Sequence, residues 1–377
     1  MLDGKKILFA TGGTGGHVNP ALAVAGFIRR KCPKAEILFV GTADKIESRL
    51  VPAAGFAFET IEMSGFSRKF NYEGIKRNIE TLFKILKSGK KIRKIMKEFK
   101  PDAVIGMGGY VSGPVLRQAQ KMGIPTAIHE QNAYPGVANK AVAKNADCLM
   151  LTVEKAARRF KSKAPFVNTG LPIRSDLLNV SREESRAKLG LEDRPLVLSM
   201  GGSLGAQAVN EAVLALIAAR YTPADIYFVH ATGRNTQAFL EKLKALGVDP
   251  EKEKNVHIRE YIDDMATYLN AADLVISRAG ASSLSEIQAL GKASILIPSP
   301  NVAENHQFHN AMALVEKDAA FMIEEKDLSG ESLIKAVDNL LKDQEKRKQL
   351  GLNAKGMAVY DSSERIYDCI VSLVNKN

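Results

Sequence analysis

Residues 11–17, Thr-Gly-Gly-Thr-Gly-Gly-His, place four glycines and a histidine directly after an apolar run. Glycines let the main chain approach a ligand closely, and a following helix offers unpaired N–H groups and the positive end of its dipole. This combination suits an anion such as a phosphate. His17 would lie in the first helical turn, where the dipole disfavours imidazolium, so a neutral ring is a candidate general base. The structural alternative is a histidine that caps the helix or fills the core.

Two further loops combine small residues with a helix start. Gly201 to Gly205 follow another apolar run and repeat the order strand, glycine turn, helix. After Ile276 the chain reads Ser-Arg-Ala-Gly-Ala-Ser-Ser, in which small hydroxyl residues open a helix and again suit a phosphate. Glu286 follows, placed to accept hydrogen bonds from two neighbouring hydroxyls of a ribose. A diphosphate beside a ribose is half of a nucleotide sugar, and we expect such a ligand.

The spacing of the glycines disfavours two common nucleotide sites. Counting from Gly13, the nicotinamide fingerprint GxGxxG would need a third glycine where Val18 stands, and no GxxxxGK[ST] phosphate loop occurs. No Asp-x-Asp occurs, and the pair Asp263-Asp264 is better explained as a helix start than as a metal site. We therefore expect no obligatory metal and no cofactor.

Two other positions are candidates for anion binding or proton transfer. Tyr110 follows a fourth glycine turn, Gly108-Gly109, which is another candidate anion site. Glu130 follows a further apolar run and is a second candidate base, although an N-cap or ion pair would also explain it. His129 would point the opposite way if the strand continues, and is expected to be structural. The identity of the base stays open between His17 and Glu130.

The elements that must position these loops form two α/β domains. With 377 residues the chain is long for a single core, and short apolar runs alternate with amphipathic stretches almost throughout. This alternation predicts βαβ units and doubly wound parallel sheets, whose ligands bind at the carboxyl ends of the strands. We expect domains at 1–168 and 169–359, with a last helix at about 360–377 that could return to the first domain. The cleft between the domains is the natural ligand site.

The composition, with 45% hydrophobic and 25% charged residues, is typical of a globular chain. Its three cysteines lie far apart without CxxC spacing, which favours a reducing compartment. No apolar stretch approaches the roughly 18–20 residues that a membrane-spanning helix needs. We therefore expect a cytoplasmic protein.

One segment carries most of the excess charge. Residues 66–100 contain twelve Lys and Arg against three Glu, a net +9 of the chain's +11. An apolar stripe at helical spacing runs through it beside these cations, which predicts docking on an anionic membrane leaflet, although an ordinary amphipathic helix would show the same pattern. We find no nucleic-acid motif and expect no nucleic-acid partner. The predicted membrane patch comprises Ile75, Ile79, Leu82, Phe83, Leu86, Lys90 and Lys91.

Eight motifs, in order along the whole chain, resemble one enzyme family. They are ATGGTGGHVNPALAVA, GTADKIESRLVP, GMGGYVSGP, IHEQNAYPGVANK, GGSLGAQAVN, YIDDMA, SRAGASSLSEI and NHQFHNA. Together they resemble the bacterial N-acetylglucosaminyltransferases that convert the first lipid-linked peptidoglycan intermediate into the second. The resemblance implies a GT-B fold, two Rossmann-like domains with parallel sheets facing across a cleft. It also implies peripheral attachment to the cytoplasmic face of the cell membrane, for cell-wall synthesis.

The resemblance further implies the reaction and its residues. The donor would be UDP-N-acetylglucosamine, and the acceptor the C4 hydroxyl of N-acetylmuramyl-pentapeptide on undecaprenyl diphosphate, with inversion to a β-1,4 disaccharide. His17, Tyr110 and Glu130 would act in acceptor binding or proton transfer. Glu286 would hold the ribose, Gln307 would reach the sugar, and Asn132 would contact the donor side. Other substrate-binding positions would be Thr14, Gly15, Gly16, Arg174, Ser203, Ile262, Ala281, Ser282, Ser283, Leu284 and Ser285.

Two other classes remain as alternatives. Another GT-B glycolipid transferase or a nucleotide-sugar epimerase would keep the fold and the nucleotide sugar, but an epimerase has no need of a basic apolar patch. A non-catalytic membrane-docked protein would bind the donor and lose nothing on replacement of His17 and Glu130.

Overall fold

A computed structural model describes residues 1–63, 88–202 and 204–375 of the chain. These residues form two compact units. Unit 1 consists of Met1–Pro172 together with Tyr360–Asn377, and unit 2 is Ile173–Val359. The division falls after residue 172, whereas the sequence predicted a boundary after residue 168.

Unit 1 is built on a parallel sheet with the strand order β3-β2-β1-β4-β5-β6-β7 among its described residues. The order reverses direction beside β1, which places the ends of β1 and β4 at the switch point of a doubly wound sheet. The central strands are buried along their length because helices cover both faces. The strands are β1 Lys6–Ala10, β2 Glu36–Gly41, β3 Ala57–Thr60, β4 Ala103–Gly106, β5 Thr126–Glu130, β6 Cys148–Leu151 and β7 Phe166–Asn168.

The helices of unit 1 connect these strands. Helix α3 covers 88–99 of the described residues. The others are α1 Gly15–Lys31, α2 Glu47–Ala53, α4 Ser112–Lys121, α5 Val137–Val142 and, at the far end of the chain, the helix Ser362–Val374.

The C-terminal helix Ser362–Val374 completes the core of unit 1. Ile366 and Ile370 are fully buried in one cluster with Val24 and Ile28 of α1. At the rim of this contact, Lys31 Nζ lies 3.0 Å from Glu364 Oε1. The burial of these apolar side chains is the main source of stability in the contact between the two helices, since an exposed ion pair contributes little.

Unit 2 repeats the plan with a second parallel sheet in the order β10-β9-β8-β11-β12-β13. Its strands are β8 Leu196–Met200, β9 Tyr227–Ala231, β10 Val256–Arg259, β11 Leu274–Ser277, β12 Ser294–Leu296 and β13 Phe321–Met322. Its helices are α6 Arg182–Lys188, α7 Gln207–Arg220, α8 Thr236–Ala245, α9 Met265–Ala271, α10 Ala281–Leu290, α11 His306–Val315, α12 Gly330–Lys342 and α13 Gln344–Gly356, so that the C-terminal helix of unit 1 becomes α14.

The two doubly wound parallel sheets confirm the predicted fold class. Strand β7 was not predicted, because three residues, Phe166–Asn168, are too few for a period-2 pattern to be read. Among the described residues, no helix combines the length and apolar character needed to span a membrane. The predicted apolar stripe from Ile75 to Leu86 lies outside the described residues.

Candidate functional sites

The glycine turns of unit 1 pack against one another at the carboxyl edge of its sheet. Strands β1 and β4 are parallel neighbours, so the turns that follow them meet. A Cβ atom at Gly109 would lie 2.2 Å from the carbonyl oxygen of Gly12, which no side chain could tolerate. Thr14 and Gly16 are exposed at the start of α1, where Thr14 is the N-cap residue. The helix N-terminus therefore opens to solvent beside two tightly packed turns.

Glu47, at the start of α2, lies beneath the first glycine turn and forms a hydrogen bond with its main chain. Its carboxylate is fully buried and accepts hydrogen bonds from Gly13 N at 3.0 Å and from Thr42 N and Oγ1 at 3.1 and 2.8 Å. A Cβ atom at Gly12 would meet this carboxylate at 2.5 Å. Sequence reasoning missed Glu47, and a glutamate opening a short helix gave no signal to separate it from an ordinary first-turn charge.

His17 lies in the first turn of α1, half-buried. Its Nδ1 is 3.2 Å from Oε1 of Gln131, which follows strand β5. The Gly108 main chain lies beside the same edge of the ring, since a Cβ atom there would lie 2.5 Å from Nδ1, 2.8 Å from Cε1 and 3.0 Å from Gln131 Oε1. The Nδ1 edge of the ring is thus close to both the β4 turn and Gln131.

Tyr110 is half-buried beside the same turns, and burial raises the pKa of its hydroxyl, opposed by a hydrogen bond with Thr42. Its ring comes within 3.4 Å of the position a Cβ would take at Gly13. Ser112 is buried, with its hydroxyl 2.8 Å from the carbonyl oxygens of Ala10 and Gly108. Ser112 therefore ties the β1 and β4 turns together.

Glu130 is buried at the end of β5, with 1% exposure. Its Oε1 accepts from Asn132 N at 3.0 Å and Asn132 Nδ2 at 3.2 Å, and its Oε2 accepts from Gly136 N at 3.0 Å and Asn139 Nδ2 at 2.8 Å. Burial raises the pKa of this carboxyl, and the four donors oppose that shift. The sequence left Glu130 as a candidate base or as an N-cap or ion-pair residue, and in the structure both of its oxygens accept hydrogen bonds that organise the loop 131–139.

His129 is fully buried, in keeping with the expectation that it is structural. Burial lowers its pKa to about 4, so the ring is neutral at physiological pH. Its Nε2 lies 2.9 Å from the carbonyl oxygen of Gly170.

Unit 2 contains a pocket of about 610 Å³ at the carboxyl ends of β8, β11 and β12. Its walls come from the glycine turn after β8, the start of α10 and the loop before α11. Helix α10 begins after Gly280 in extended conformation, so its first N–H groups point toward this space. The lining includes the predicted residues Ser283 and Gln307 together with Gly201, Gly202, Gly205, Arg278 and Gly280.

The glycine turns of unit 2 reproduce the close packing seen in unit 1. A Cβ atom at Gly205 would lie 2.1 Å from the carbonyl oxygen of Thr232, and one at Gly233 would lie 2.2 Å from Gly205 N. Asn210 Nδ2 donates to the same Thr232 oxygen at 2.9 Å, and His230 Nε2 lies 3.2 Å from Asn210 Oδ1. Asn210 and His230 therefore hold the main chain at Thr232 in place, next to the glycine turn.

Arg174 and Glu286 form an ion pair, with Nε 3.1 Å from Oε1. Glu286 projects from α10 with 17% of its side chain exposed, and Arg174 is 42% exposed. Burial raises the pKa of Glu286, and Arg174 opposes this. Two predicted residues that lie 112 positions apart in the sequence are thus brought together.

Other predicted residues of unit 2 divide into accessible and buried positions. Gln307 accepts from Ser299 N at 2.9 Å with Oε1 and lines the pocket. Arg278, which the sequence analysis did not select, has a side chain that is 12% exposed, pairs with Glu325 and donates to the Ile297 carbonyl at 3.1 Å. The side chains of Ile262, Leu284 and Ser285 are buried, at 3%, 4% and 8% exposure.

Three further sequence predictions concern Ser203, Asp264 and the two lysines of the membrane patch. Ser203 lies outside the described residues. Asp264 caps α9, its carboxylate accepting from Thr267 N at 3.3 Å, as expected for a helix start. Lys90 and Lys91 are exposed on α3, whose opposite face is buried through Ile92 and Met96.

The fold and the two edges define a class of protein: two Rossmann-like units, one with a histidine beside glycine turns and one with a nucleotide-sized pocket. The N-terminal domain model of glycosyltransferase family 28 matches residues 7–151, and the C-terminal domain model of the same family matches residues 196–366. The chain belongs to glycosyltransferase family 28.

Its relatives are similar over nearly their whole length. A protein of Acetivibrio thermocellus, named UDP-N-acetylglucosamine--N-acetylmuramyl-(pentapeptide) pyrophosphoryl-undecaprenol N-acetylglucosamine transferase, is 44% identical, with 98% of each chain covered. A protein of the same name from Clostridioides difficile is 42% identical, covering 98% of this chain and 89% of that one.

Solved structures agree with the assignment. Acinetobacter baumannii MurG superposes with a TM-score of 0.78 at 29% identity, covering 98% of this chain and 99% of that chain. An S. aureus MnaA structure solved with UDP has a TM-score of 0.69 at 16% identity, covering 98% of this chain and 97% of that one, and shows the shared fold alone.

Proposed function

We propose that this protein is an inverting glycosyltransferase of peptidoglycan synthesis. It moves N-acetylglucosamine from UDP-N-acetylglucosamine to the C4 hydroxyl of undecaprenyl-diphosphate-linked N-acetylmuramyl-pentapeptide, forming a β-1,4 disaccharide. The observation that carries this proposal is the shared transferase name of relatives that are 39–44% identical over almost the whole chain. An epimerase resembles this chain in fold alone, at 16% identity.

The donor binds in the pocket of unit 2. The diphosphate lies against the glycine turn after β8 and the N-terminus of α10, where N–H groups and the helix dipole favour negative charge. Glu286 accepts hydrogen bonds from the ribose, beside Arg174 at 3.1 Å. Gln307 contacts the sugar. Ile262, with a buried side chain, offers its main chain to the nucleotide.

His17 is the general base. It removes the proton from the acceptor C4 hydroxyl as that oxygen bonds to C1 of N-acetylglucosamine, while the bond from C1 to the diphosphate oxygen breaks and UDP leaves with its electron pair. Glu130 already accepts four hydrogen bonds, which favours a loop-organising role for it. Tyr110 and the exposed N-terminus of α1 face the acceptor, and Asn132 holds its loop.

The acceptor carries a lipid, so the enzyme works at a membrane surface. The exposed face of α3 suits an anionic leaflet, because each lysine or arginine near such a surface adds about 1 kcal/mol of attraction. That charge supports peripheral binding to the anionic cytoplasmic face of the membrane. The exposed cations of α3 are Lys90, Lys91, Arg93, Lys94 and Lys97.

The test is transfer from labelled UDP-N-acetylglucosamine to a short-chain analogue of the muramyl-pentapeptide lipid, in EDTA. Product from the wild type supports the donor, the acceptor and metal independence together. We expect His17→Ala to reduce kcat by about 100-fold or more while donor binding, measured by calorimetry, stays unchanged. Donor binding without product would favour a different acceptor or epimerisation, which release of free 2-epimer would reveal. Failure to bind the donor would contradict the proposal.

A further inference from the structure

The side chain of Gln131 joins the His17 ring to a buried network. Gln131 is 2% exposed, and both polar atoms of its side-chain amide have hydrogen-bond partners. Its Oε1 faces His17 Nδ1 at 3.2 Å. Its Nε2 lies 2.8 Å from the Met107 carbonyl oxygen and 3.3 Å from Nδ1 of His129.

Two main-chain carbonyls fix the direction of every hydrogen bond in this network. The Gly170 oxygen can only accept, so His129 carries its hydrogen on Nε2, 2.9 Å away, and its Nδ1 holds a lone pair. The Met107 oxygen can also only accept, so it must face the amide nitrogen of Gln131. Turning the amide over would set two carbonyl oxygens together and two hydrogen-bearing nitrogens against each other. Both amide hydrogens are therefore committed, to Met107 and to His129.

The remaining group, Oε1 of Gln131, can only accept, and it faces Nδ1 of His17. A neutral imidazole has one hydrogen, so placing it on Nδ1 leaves the lone pair on Nε2. We propose that Gln131 is a positioning residue that holds His17 in the Nδ1–H tautomer and so makes Nε2 its basic nitrogen. The catalytic consequence rests on the proposed function, in which His17 takes the acceptor proton.

The surroundings keep this network in one state. Burial lowers the pKa of His129 to about 4, so His129 stays neutral and can go on accepting from Gln131 above that pH. Titratable groups near the His17 ring include His129 behind Gln131, and Glu47 and Tyr110 beside the glycine turn. Substitution of Gln131 leaves Glu47 and Tyr110 in place, whereas Gln131→Met also removes the hydrogen bond that His129 Nδ1 accepts. Gly108 leaves the ring little room to rotate.

The first experiment reads the tautomer directly, without activity. Two-bond ¹⁵N–¹H correlation spectra of protein labelled at its six histidines distinguish a protonated ring nitrogen from a bare one. His17→Gln assigns the His17 signal. In the wild type we expect the bare nitrogen of neutral His17 to be Nε2. Finding the hydrogen on Nε2 would overturn the proposal, whether or not the protein transfers sugar.

The matched variants are Gln131→Met and Gln120→Met. Gln120, in α4 of the same unit, also donates from Nε2 to a carbonyl, that of Val142 at 3.0 Å. We expect Gln131→Met to give a mixed tautomer signal and a kcat about 10- to 100-fold lower, with donor affinity unchanged. Gln120→Met should leave the His17 tautomer and kcat as they are. Equal effects of both variants would indicate a structural role alone.

Gln131→Glu supplies a second readout. One carboxyl oxygen of this variant faces the Met107 carbonyl oxygen and the bare Nδ1 of His129, so it must carry a hydrogen there, while the other oxygen accepts from His17 Nδ1. The variant should therefore keep the Nδ1–H tautomer of the wild type, without the mixed signal expected of Gln131→Met. A mixed signal in folded Gln131→Glu would contradict the proposal. If the wild type has the expected tautomer but His17→Ala retains full kcat, the tautomer assignment stands and the proposed role of His17 fails.

Discussion

Gly108 and His17 are packed so closely that a Cβ atom added to Gly108 would stand 2.5 Å from His17 Nδ1. We therefore predict that Gly108→Ala displaces the ring. Gly108 has φ of +90°, so alanine also costs about 1–3 kcal/mol of backbone strain. A displacement near 1 Å reduces a rate by about 100-fold. Steady-state transfer assays should show that loss in kcat, with donor binding unchanged.

Gly123→Ala is the control for backbone strain. Gly123, in the same unit, has φ of +72°, and no atom lies within 4 Å of a Cβ placed there. It should lose a similar amount of unfolding free energy and keep its kcat. Equal losses of activity in both variants would show that strain alone, and no contact with His17, explains the effect.

We predict that the Arg174–Glu286 pair makes donor affinity depend on pH. Burial raises the pKa of Glu286, and the guanidinium 3.1 Å away limits that rise. Arg174→Ala should therefore raise the pKa further, and the ionised carboxylate that accepts from the ribose should be lost at higher pH. Calorimetric titration of UDP should show the acid limb of affinity at higher pH in Arg174→Ala than in the wild type. Arg182→Ala, which breaks an ion pair with Asp273 in the same unit, should leave that limb in place.

Glu130 separates a structural role from a catalytic one. Glu130→Gln sets an amide among four donors that now face one carbonyl oxygen and an NH₂ group. We expect the free energy of unfolding to fall by about 2–4 kcal/mol and protease sensitivity to rise in 131–139. Glu154→Gln, at an exposed residue with a 3.2 Å contact to Asn168, should change stability little. A large loss of kcat with unchanged melting would instead support Glu130 as the base.

Two buried histidines should make both units sensitive to acid. Burial lowers the pKa of His129 in unit 1 and of His230 in unit 2 to about 4. A depressed histidine pKa stabilises the fold above the ordinary pKa near 6.5, and this contribution is lost as pH falls through about 4. Each should contribute up to roughly 3 kcal/mol. Calorimetry from pH 7 to 4 should show a shallower loss of stability in His230→Gln, and an unchanged slope would contradict this origin.

Charge reversal on α3 tests membrane docking. Lys90, Lys91, Arg93 and Lys94 are exposed, so changing all four to Glu should leave the core of unit 1 intact. Binding to vesicles of anionic phospholipid should fall by 10-fold or more, with the difference shrinking as salt rises. Binding of soluble UDP should not change. Unaltered vesicle binding would remove α3 from the docking surface.

Much of the fold was predictable because buried parallel strands correspond to short apolar runs in the sequence. The strands Ala103–Gly106, Cys148–Leu151, Leu196–Met200 and Leu274–Ser277 have the predicted bounds, since both faces of each are buried and turn residues flank them. The glycine turns were also predictable, because only glycine fits where Gly109 meets Gly12 and where Gly205 meets Thr232.

The supporting side chains could not be predicted in the same way. Glu47, Gln131 and Asn210 act through partners 34, 114 and 22 residues away, and such pairings follow from tertiary packing that no local pattern reports. The burial of Glu130 could not be predicted for the same reason, because it depends on the loop that folds back over its carboxylate.

Because helix α14 belongs to unit 1 but follows unit 2 in the sequence, unit 1 cannot be completed until unit 2 has been translated. The α14 residues Ile366, Ile370 and Leu373 fill the core of unit 1 but are translated after the whole of unit 2. On the ribosome, an apolar groove beside α1 therefore stays uncovered while unit 2 is translated and folds. A nascent chain that stops before α14 would keep that groove exposed, which is the kind of surface that chaperones and proteases recognise.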